Sequence, residues 1–207
     1  RYLTDVLHFR ERFAEVTVKK GKNSQFTTVD MLFGLLGLIM LGCDRVCRIN
    51  DRFGDDELVA KQLGLVRIFD QSTANRFLRQ FKKWHTNQLE RILRGMVWAH
   101  GGCVRVVCRI LDIDASDLTR MTHKSTGAKP GRKKRNKGKD SYLITCGFAG
   151  DQVVATDFRA GNAHCSQALT VVFEKAMTAM SRIDLIRLDA GYISIRTLTW
   201  LLAQKVS

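Results

Sequence analysis

The chain has few acidic residues, a single proline and no C-x-x-C pair. Its 20 Asp and Glu residues are outnumbered by 34 Lys and Arg residues, which gives a formal net charge of +14 at pH 7. This excess of positive charge is typical of proteins that bind nucleic acid or an anionic membrane surface. With 45% hydrophobic and 26% charged residues, the composition excludes a disordered or collagen-like chain.

The six cysteines lack the spacing of a structural zinc site, and no secretory signal precedes them. Cys43 and Cys47, four residues apart in the sequence, are interpreted as buried thiols. We therefore expect a reducing compartment and a cytoplasmic location. The longest apolar stretch, Met31 to Cys43, is shorter than the ~20 residues that a membrane-spanning helix needs, so we predict a buried helix and no membrane partner.

Residues 1–100 have the apolar spacing of helices and predict an N-terminal helical region. Thr27 and Asp30 have the spacing of a capping box. The predicted elements are a helix from Thr27 through Leu41, a turn over 44–56, a short helix over about 55–62, and a helix capped by Ser72-Thr73 that carries Phe77, Phe81 and Trp84 on one face and continues to the glycine pair at 101–102.

Residues 101–207 have shorter apolar segments, which predict a mixed sheet with flanking helices. The predicted elements are a buried strand over 104–114, a hairpin of strands 142–148 and 153–158 around Gly150-Asp151, an amphipathic helix from Leu169 to Met180, a strand over 184–189 and a helix from about Ser194 to Gln204. The helical crossover predicts that the last two strands run parallel. The predicted fold class is α+β or α/β, with domains at 1–100 and 101–207.

Positive charge is concentrated in two places that predict contact with DNA phosphates. Residues 120–139 contain nine positive charges and no acid, and Pro130 with three glycines predicts an irregular segment. Its basic residues are Arg120, Lys124, Lys129, Arg132, Lys133, Lys134, Arg135, Lys137 and Lys139. The second place is the helix side that carries Arg76, Arg79 and Lys83. A solvated basic surface is the alternative for both.

Aspartates end the first and the last of the predicted strands. Asp112 and Asp114 project on the same face because strand side chains alternate, and Asp189 precedes a glycine turn. Carboxylates at neighbouring strand ends could share divalent cations, and oxygen ligands suit Mg²⁺. Two such ions assist in-line displacement at phosphorus, so the pattern predicts phosphoryl-transfer chemistry. Turn aspartates that only cap the next segment are the alternative.

Three motifs follow one another in the second half of the chain. They are Leu111-Asp112-Ile113-Asp114-Ala115-Ser116, Phe158-Arg159-Ala160-Gly161-Asn162-Ala163-His164 and Leu188-Asp189-Ala190-Gly191-Tyr192. The helical segments before them are Asn50-Asp51, Leu63-Gly64-Leu65 and 71–78. In order and spacing these motifs resemble the DDE transposases of bacterial insertion sequences, whose catalytic core has a ribonuclease H-like fold. The resemblance implies a partial core of this kind over 101–207, with residues 120–139 as a basic insertion.

The resemblance implies a transposase that cleaves transposon ends and transfers the freed 3′ end into target DNA. It makes Asp114 the first catalytic acid and Asp189 the second, with Asp112 as the reserve candidate for the first. These three aspartates are the candidate ligands of Mg²⁺ or Mn²⁺, and two ions are expected in the complete enzyme. The implied partner is double-stranded DNA, both transposon ends and target, bound by a homodimer.

Such enzymes need a third acid, a Glu on a later helix, and no Asp or Glu follows Asp189. Glu174 lies on the crossover helix, which is the wrong place for this role. Because the chain begins at Arg1 and ends at Ser207, we expect a fragment with an incomplete catalytic set and little activity of its own.

Two alternative functions belong to other classes: a non-catalytic basic DNA-binding protein, and an unrelated nuclease or phosphohydrolase that uses two metals. His164 and Cys165 start the predicted crossover helix, and we interpret them as capping or packing residues rather than as a thiol nucleophile or a metal pair. Asn162 is the predicted N-cap. Tyr192 either covers the metal site or packs as an ordinary core aromatic.

Overall fold

The computed structural model describes residues 2–21, 24–100, 109–119, 126–131, 137–204 and 206. The chain divides into two units, Arg1–Leu93 and Arg94–Ser207. This division falls a few residues before the domain boundary predicted from the sequence. Within the described residues, no helix combines the length and the apolarity needed to cross a bilayer.

The first unit is built from helices. They are a π-helix at Tyr2–Val6, α1 (Phe9–Phe13), α2 (Thr28–Met40), a 3-10 helix at Val46–Arg48, α3 (Ile49–Phe53), α4 (Glu57–Gln62), α5 (Gln71–Leu78) and α6 (Lys83–His100), whose last residues belong to the second unit. The predicted capping box at the start of α2 is confirmed, because Thr27 and Asp30 exchange side-chain and backbone hydrogen bonds.

Three local predictions in this unit are wrong. Residues 44–56 contain a 3-10 helix and α3 rather than only a turn. The helix predicted to extend from Ser72-Thr73 is two helices, because a new one starts where the Lys82 N–H donates to His85 Nδ1 at 2.9 Å. The first of these two helices, α5, is capped by Asp70, which accepts the Thr73 N–H, and not by Ser72-Thr73. As a result Phe77 is buried while Trp84 is 47% exposed, so the two share no buried face.

The cysteine prediction holds for Cys43, which is buried, and fails for Cys47, which is exposed. The reason is that α2 ends before both residues, so helical spacing does not relate them. The four cysteines within the described ranges are free thiols. Cys103 and Cys108 lie outside those ranges.

The second unit is a mixed sheet with helices. Its elements are β1 (Ile110–Thr119), β2 (Lys129–Pro130), β3 (Asp140–Ala149), β4 (Gln152–Ala160), a 3-10 helix at Cys165–Gln167, α7 (Leu169–Met177), β5 (Leu185–Leu188), a 3-10 helix at Ala190–Tyr192 and α8 (Ile195–Ala203). The strand order is β4-β3-β1-β5, and the two-residue β2 also pairs with β3.

Strand directions follow from the pairings. β3 is antiparallel to both β1 and β4, and β1 is parallel to β5. β1, β4 and β5 therefore point the same way, and β4 and β5 end toward the same edge of the sheet. The predicted parallel course of the last two strands is confirmed, as is the fold class of a helical region followed by a mixed sheet with flanking helices.

The first strand differs from its prediction. β1 pairs with β3 as far as Thr119, so Asp114 lies in its middle rather than at its end. The extension depends on β3, whose residues paired with 115–119 lie 22 to 30 positions later in the chain. Residues 104–108 of the predicted strand lie outside the described ranges. The basic segment also differs, because β2 gives regular pairing to a stretch predicted to be irregular.

The core of this unit lies between one face of the sheet and α7. Leu111 and Val172 are both fully buried within it. The helix approaches the sheet closely at Gly147, where an added Cβ would lie 2.9 Å from Val172 Cγ1. This packing fixes which face of β1 is covered and leaves the opposite face to the aspartates.

Candidate active site

Asp114 and Asp189 lie side by side. The parallel register of β1 and β5 pairs Asp112 with Arg187 and Ile113 with Leu188. The next position on each strand is an aspartate, Asp114 on β1 and Asp189 directly after β5. Since neighbouring strands are about 4.8 Å apart, the structure brings together the two acids that the sequence predicted.

Burial shows that both acids face away from the core. On β1, Leu111 and Ile113 are buried whereas Asp114 is exposed. After β5, Leu188 packs against the core and Asp189 is exposed. Side chains alternate along a strand, so the two carboxylates project on the same, uncovered face.

Tyr192 lies close enough to both acids for their charges to act on its hydroxyl group. Burial raises the pKa of the Tyr192 hydroxyl to about 12, and the charges of Asp114 and Asp189 both act in the same direction, against an opposing effect of the Thr145 hydroxyl. Tyr192 is only 2% exposed and belongs to the core, so it packs as a core aromatic beside the acids. Both carboxylates therefore contribute to the raised pKa of the same hydroxyl group.

Cys146 lies opposite Asp114 on the other neighbouring strand. Burial raises the pKa of its thiol, and the charge of Asp114 adds to the effect. Among the described residues, neither Asp114 nor Asp189 forms an ion pair. Asp114 does accept the backbone N–H of Ala115 at 2.7 Å.

Asp112 is differently engaged. Both of its carboxylate oxygens accept from the Arg187 guanidinium, one through Nε and the other through Nη2 at 2.5 Å. This bidentate pair places a positive charge beside both oxygens, which disfavours a cation at Asp112. Sequence reasoning missed Arg187, since its pairing with Asp112 follows only from the register of strands 75 residues apart.

The two carboxylates are suited to a hard cation, but they provide only two protein ligands. Asp114 and Asp189 supply carboxylate oxygens, which Mg²⁺ and Mn²⁺ prefer. Within the ranges that the structure describes, no group of three or more His, Cys, Asp or Glu side chains comes together. Glu174 is exposed on α7, the helix that crosses between β4 and β5.

The turn after β4 is held by hydrogen bonds and close packing. His164, not Asn162, is the N-cap of the 3-10 helix, since its ring accepts the Ser166 N–H. The Cys165 thiol donates to the Gly191 carbonyl at 2.9 Å. At Gly161 an added Cβ would meet the Ser141 carbonyl oxygen at 2.7 Å. These contacts agree with a capping and packing role.

The predicted DNA-binding residues are only partly described. Lys129, Lys137 and Lys139 are exposed at the ends of the basic segment. The others of that segment, Arg120, Lys124, Arg132, Lys133, Lys134 and Arg135, lie outside the described residues. Arg76, Arg79 and Lys83 are exposed, but they belong to α5, the turn after it and the start of α6 rather than to one helix.

A cavity of about 480 Å³ that sequence reasoning missed lies where α7 and α8 begin. Arg159 and Arg196 contribute its positive charge, and hydroxyl groups come from the first turns of the helices. Arg159 stands in the motif Phe158–His164 and could have been noted there. Arg196 carries no sequence signal beyond its charge.

Residues 108–207 match the family described as transposase DDE domain. The match covers most of the second unit and a little less than half of the 207 residues. Comparison with curated protein sequences gives no match.

Solved transposase structures are similar to the chain at low identity. The Mos1 transposase paired-end complex with the left transposon end is 12% identical with a TM-score of 0.34, over 91% of this chain and 60% of that one. The piggyBac transposase synaptic complex with hairpin DNA is 14% identical with a TM-score of 0.42, over 99% and 48%. The Mos1 mariner paired-end complex with Mn is 11% identical with a TM-score of 0.34, over 97% and 65%. The chain thus spans less than two thirds of each.

Proposed function

We propose that this protein is a DDE transposase of the bacterial insertion-sequence type, which cleaves transposon ends and transfers the freed strand into target DNA in the cytoplasm. The observation that carries the proposal is the adjacent, same-face position of Asp114 and Asp189 within a transposase DDE domain. The net charge of +14 supports DNA as the partner.

Asp114 and Asp189 are the proposed catalytic and metal-binding acids. Mg²⁺ or Mn²⁺, two ions in the complete enzyme, would neutralise developing charge on the attacking and leaving oxygens. The pairing with Arg187 supports Asp114 over Asp112 as the first acid, because the positive charge of the guanidinium beside Asp112 opposes the binding of a cation there. Asp112 is then the ion-pair partner of Arg187 across β1 and β5.

The remaining site residues and partners belong to the proposal as well. DNA phosphates would contact the basic segment 120–139 and the exposed Arg76, Arg79 and Lys83. The active assembly would be a homodimer on paired DNA ends. The acids within residues 1–207 form an incomplete set, since residues 190–207 contain neither Asp nor Glu, and these residues alone would have little strand-cleavage activity.

Manganese binding to the chain tests the two-acid site without requiring turnover. Electron paramagnetic resonance of Mn²⁺ would be compared for the wild type and for Asp114→Asn, Asp189→Asn, Asp112→Asn and Asp151→Asn. We expect the first two variants to weaken Mn²⁺ binding about tenfold or more, because each removes one of two charged ligands. Asp151→Asn, at the exposed β3–β4 turn, is the matched control for charge.

The outcomes separate the alternatives. Equal Mn²⁺ binding by all five proteins would contradict the metal site and leave a non-catalytic DNA-binding protein. A loss in Asp112→Asn equal to that in Asp114→Asn would contradict the choice between these acids. In the product of the complete gene, Asp114→Asn and Asp189→Asn should each lower Mg²⁺-dependent cleavage of a plasmid carrying the transposon ends at least about a hundredfold.

A further inference from the structure

The cavity at the start of α7 and α8 has the chemistry of an anion site. Arg159 and Arg196 line it together with the hydroxyl-bearing residues Ser166, Thr170 and Ser194. No Asp or Glu is among its lining residues. Its volume of about 480 Å³ is within the range of pockets that hold small ligands.

The two arginines are placed differently. Arg159 is half-buried, and Asp157 orients it through its Nε, so its remaining N–H groups are presented from a fixed position. Arg196 is exposed in the first turn of α8, and among the described residues it forms no ion pair. A fixed and an exposed guanidinium on one cavity suit a phosphate group, which arginine binds bidentately.

The helix starts add to the positive potential. The cavity is lined by Leu169 and Thr170 at the beginning of α7, a helix with no side-chain cap. It is lined also by Ser194 and Arg196 at the beginning of α8. N–H groups at helix starts favour anions, so backbone and side chains act in the same direction.

The topology relates this cavity to the two acids. β4 and β5 run parallel, so Arg159, near the end of β4, and Asp189, directly after β5, lie toward the same edge of the sheet. Ser194 follows Asp189 by five residues, across one 3-10 turn. Arg159 pairs with the core residue Leu143 and faces the covered side of the sheet, whereas the two acids face the uncovered side. A DNA strand held in the cavity would therefore have to pass over this edge to reach the acids.

We propose that the cavity between Arg159, Arg196 and Trp200 binds backbone phosphates of a DNA strand at the edge of the sheet toward which β4 and β5 end. Trp200, which packs edge-on against Phe173 with ring centroids 5.1 Å apart, is the apolar wall for a sugar or base. This inference rests on the proposed function, because it requires DNA as the partner. It adds a phosphate site separate from the basic segment 120–139.

Fluorescence anisotropy with a labelled DNA duplex tests the site at several salt concentrations. Arg196→Gln should lower affinity about tenfold at low salt, as expected when a hydrogen bond to a charged group is removed. It should also reduce the slope of log K against log salt by about 0.9 for each phosphate that the variant no longer neutralises. Arg182→Gln is the matched control, because Arg182 is an exposed arginine just before β5, toward the opposite edge of the sheet.

The outcomes distinguish the two proposals. If the wild type binds no DNA, the proposed function itself fails. If the wild type binds DNA and Arg196→Gln behaves like Arg182→Gln, only the cavity proposal is overturned. Thermal unfolding with inorganic phosphate covers the remaining case: stabilisation of the wild type but not of Arg196→Gln, with unchanged DNA affinity, would mean a free-anion site and overturn the DNA assignment.

Discussion

Carboxylates have different surroundings in the helical unit and in the sheet unit. In the helical unit they begin helices: Asp30 completes the capping box of α2, Asp56 caps α4, and Asp70 caps α5. In the sheet unit Asp114 and Asp189 stand next to each other on an uncovered face. The carboxylates of the first group accept backbone N–H groups at helix starts, whereas those of the second group are two like charges side by side.

This difference separates carboxylates that stabilise the fold from carboxylates that are proposed to bind a metal ion. An N-cap stabilises a helix by about 1 kcal/mol. Two like charges at neighbouring strand positions destabilise a sheet by several tenths of a kcal/mol. Removing a carboxylate should therefore have opposite effects on stability in the two units.

The largest effect is expected at Asp70. Asp70→Ala removes the acceptor for the N–H of Thr73 and for the hydroxyl of Ser72. We expect the free energy of unfolding to fall by about 1–2 kcal/mol, measured by urea denaturation. Asp151→Ala, which removes an exposed turn carboxylate, is the control, and an equal loss in both variants would remove the distinction.

Acid should weaken the same cap. Hydrogen bonds from Ser72 and Thr73 lower the pKa of Asp70 from 3.8 to about 2. A group with a lowered folded-state pKa stabilises the protein above its unfolded pKa, and this contribution is lost as the pH falls through the folded one. We expect the stability advantage of the wild type over Asp70→Ala to shrink between pH 4 and pH 2. A constant advantage over this range would contradict the charged cap.

An opposite sign is expected at the paired acids. Asp114→Asn removes one of two adjacent negative charges, so the free energy of unfolding should rise by about 0.5 kcal/mol in the absence of divalent ions. Urea denaturation in a chelating buffer measures this change. Excess Mg²⁺ should reverse the order, because only the wild type gains from the ion. Destabilisation without metal would assign Asp114 a structural role.

The smallest effect is expected at the Asp112–Arg187 pair. The Arg187 side chain is 63% exposed. Exposed ion pairs contribute about 0–1 kcal/mol to the free energy of unfolding. Arg187→Gln should therefore change the unfolding free energy by about 0.5 kcal/mol or less. A much larger loss would show that the alignment of β5 with β1 depends on this pair.

Local patterns in the sequence predicted two local structures correctly. The capping box needs only Thr27 and Asp30, and the β3–β4 hairpin only the turn at Gly150-Asp151, so short-range chemistry determined both. The break between α5 and α6 was missed because it depends on one hydrogen bond from Lys82 to His85. Neither residue is a breaker by type.

Among the long-range features of the site, only the proximity of the two aspartate motifs was predicted from the sequence. Asp114 and Asp189 could be paired from the sequence because each follows apolar strand residues. The position of Asp114 in the middle of β1 could not be predicted, because the pairing with β3 determines where β1 ends. Arg187 and the cavity at Arg196 needed the sheet register and the helix starts, which no nearby residues encode.

Tyr192 links the site to the interior of the domain. Its ring is nearly enclosed by the core, while its backbone N–H donates to the Asp189 carbonyl at 3.0 Å. This hydrogen bond fixes the backbone of Asp189 relative to the core. The packing of one phenol ring in the interior therefore helps to determine where the backbone of Asp189 is held at the surface.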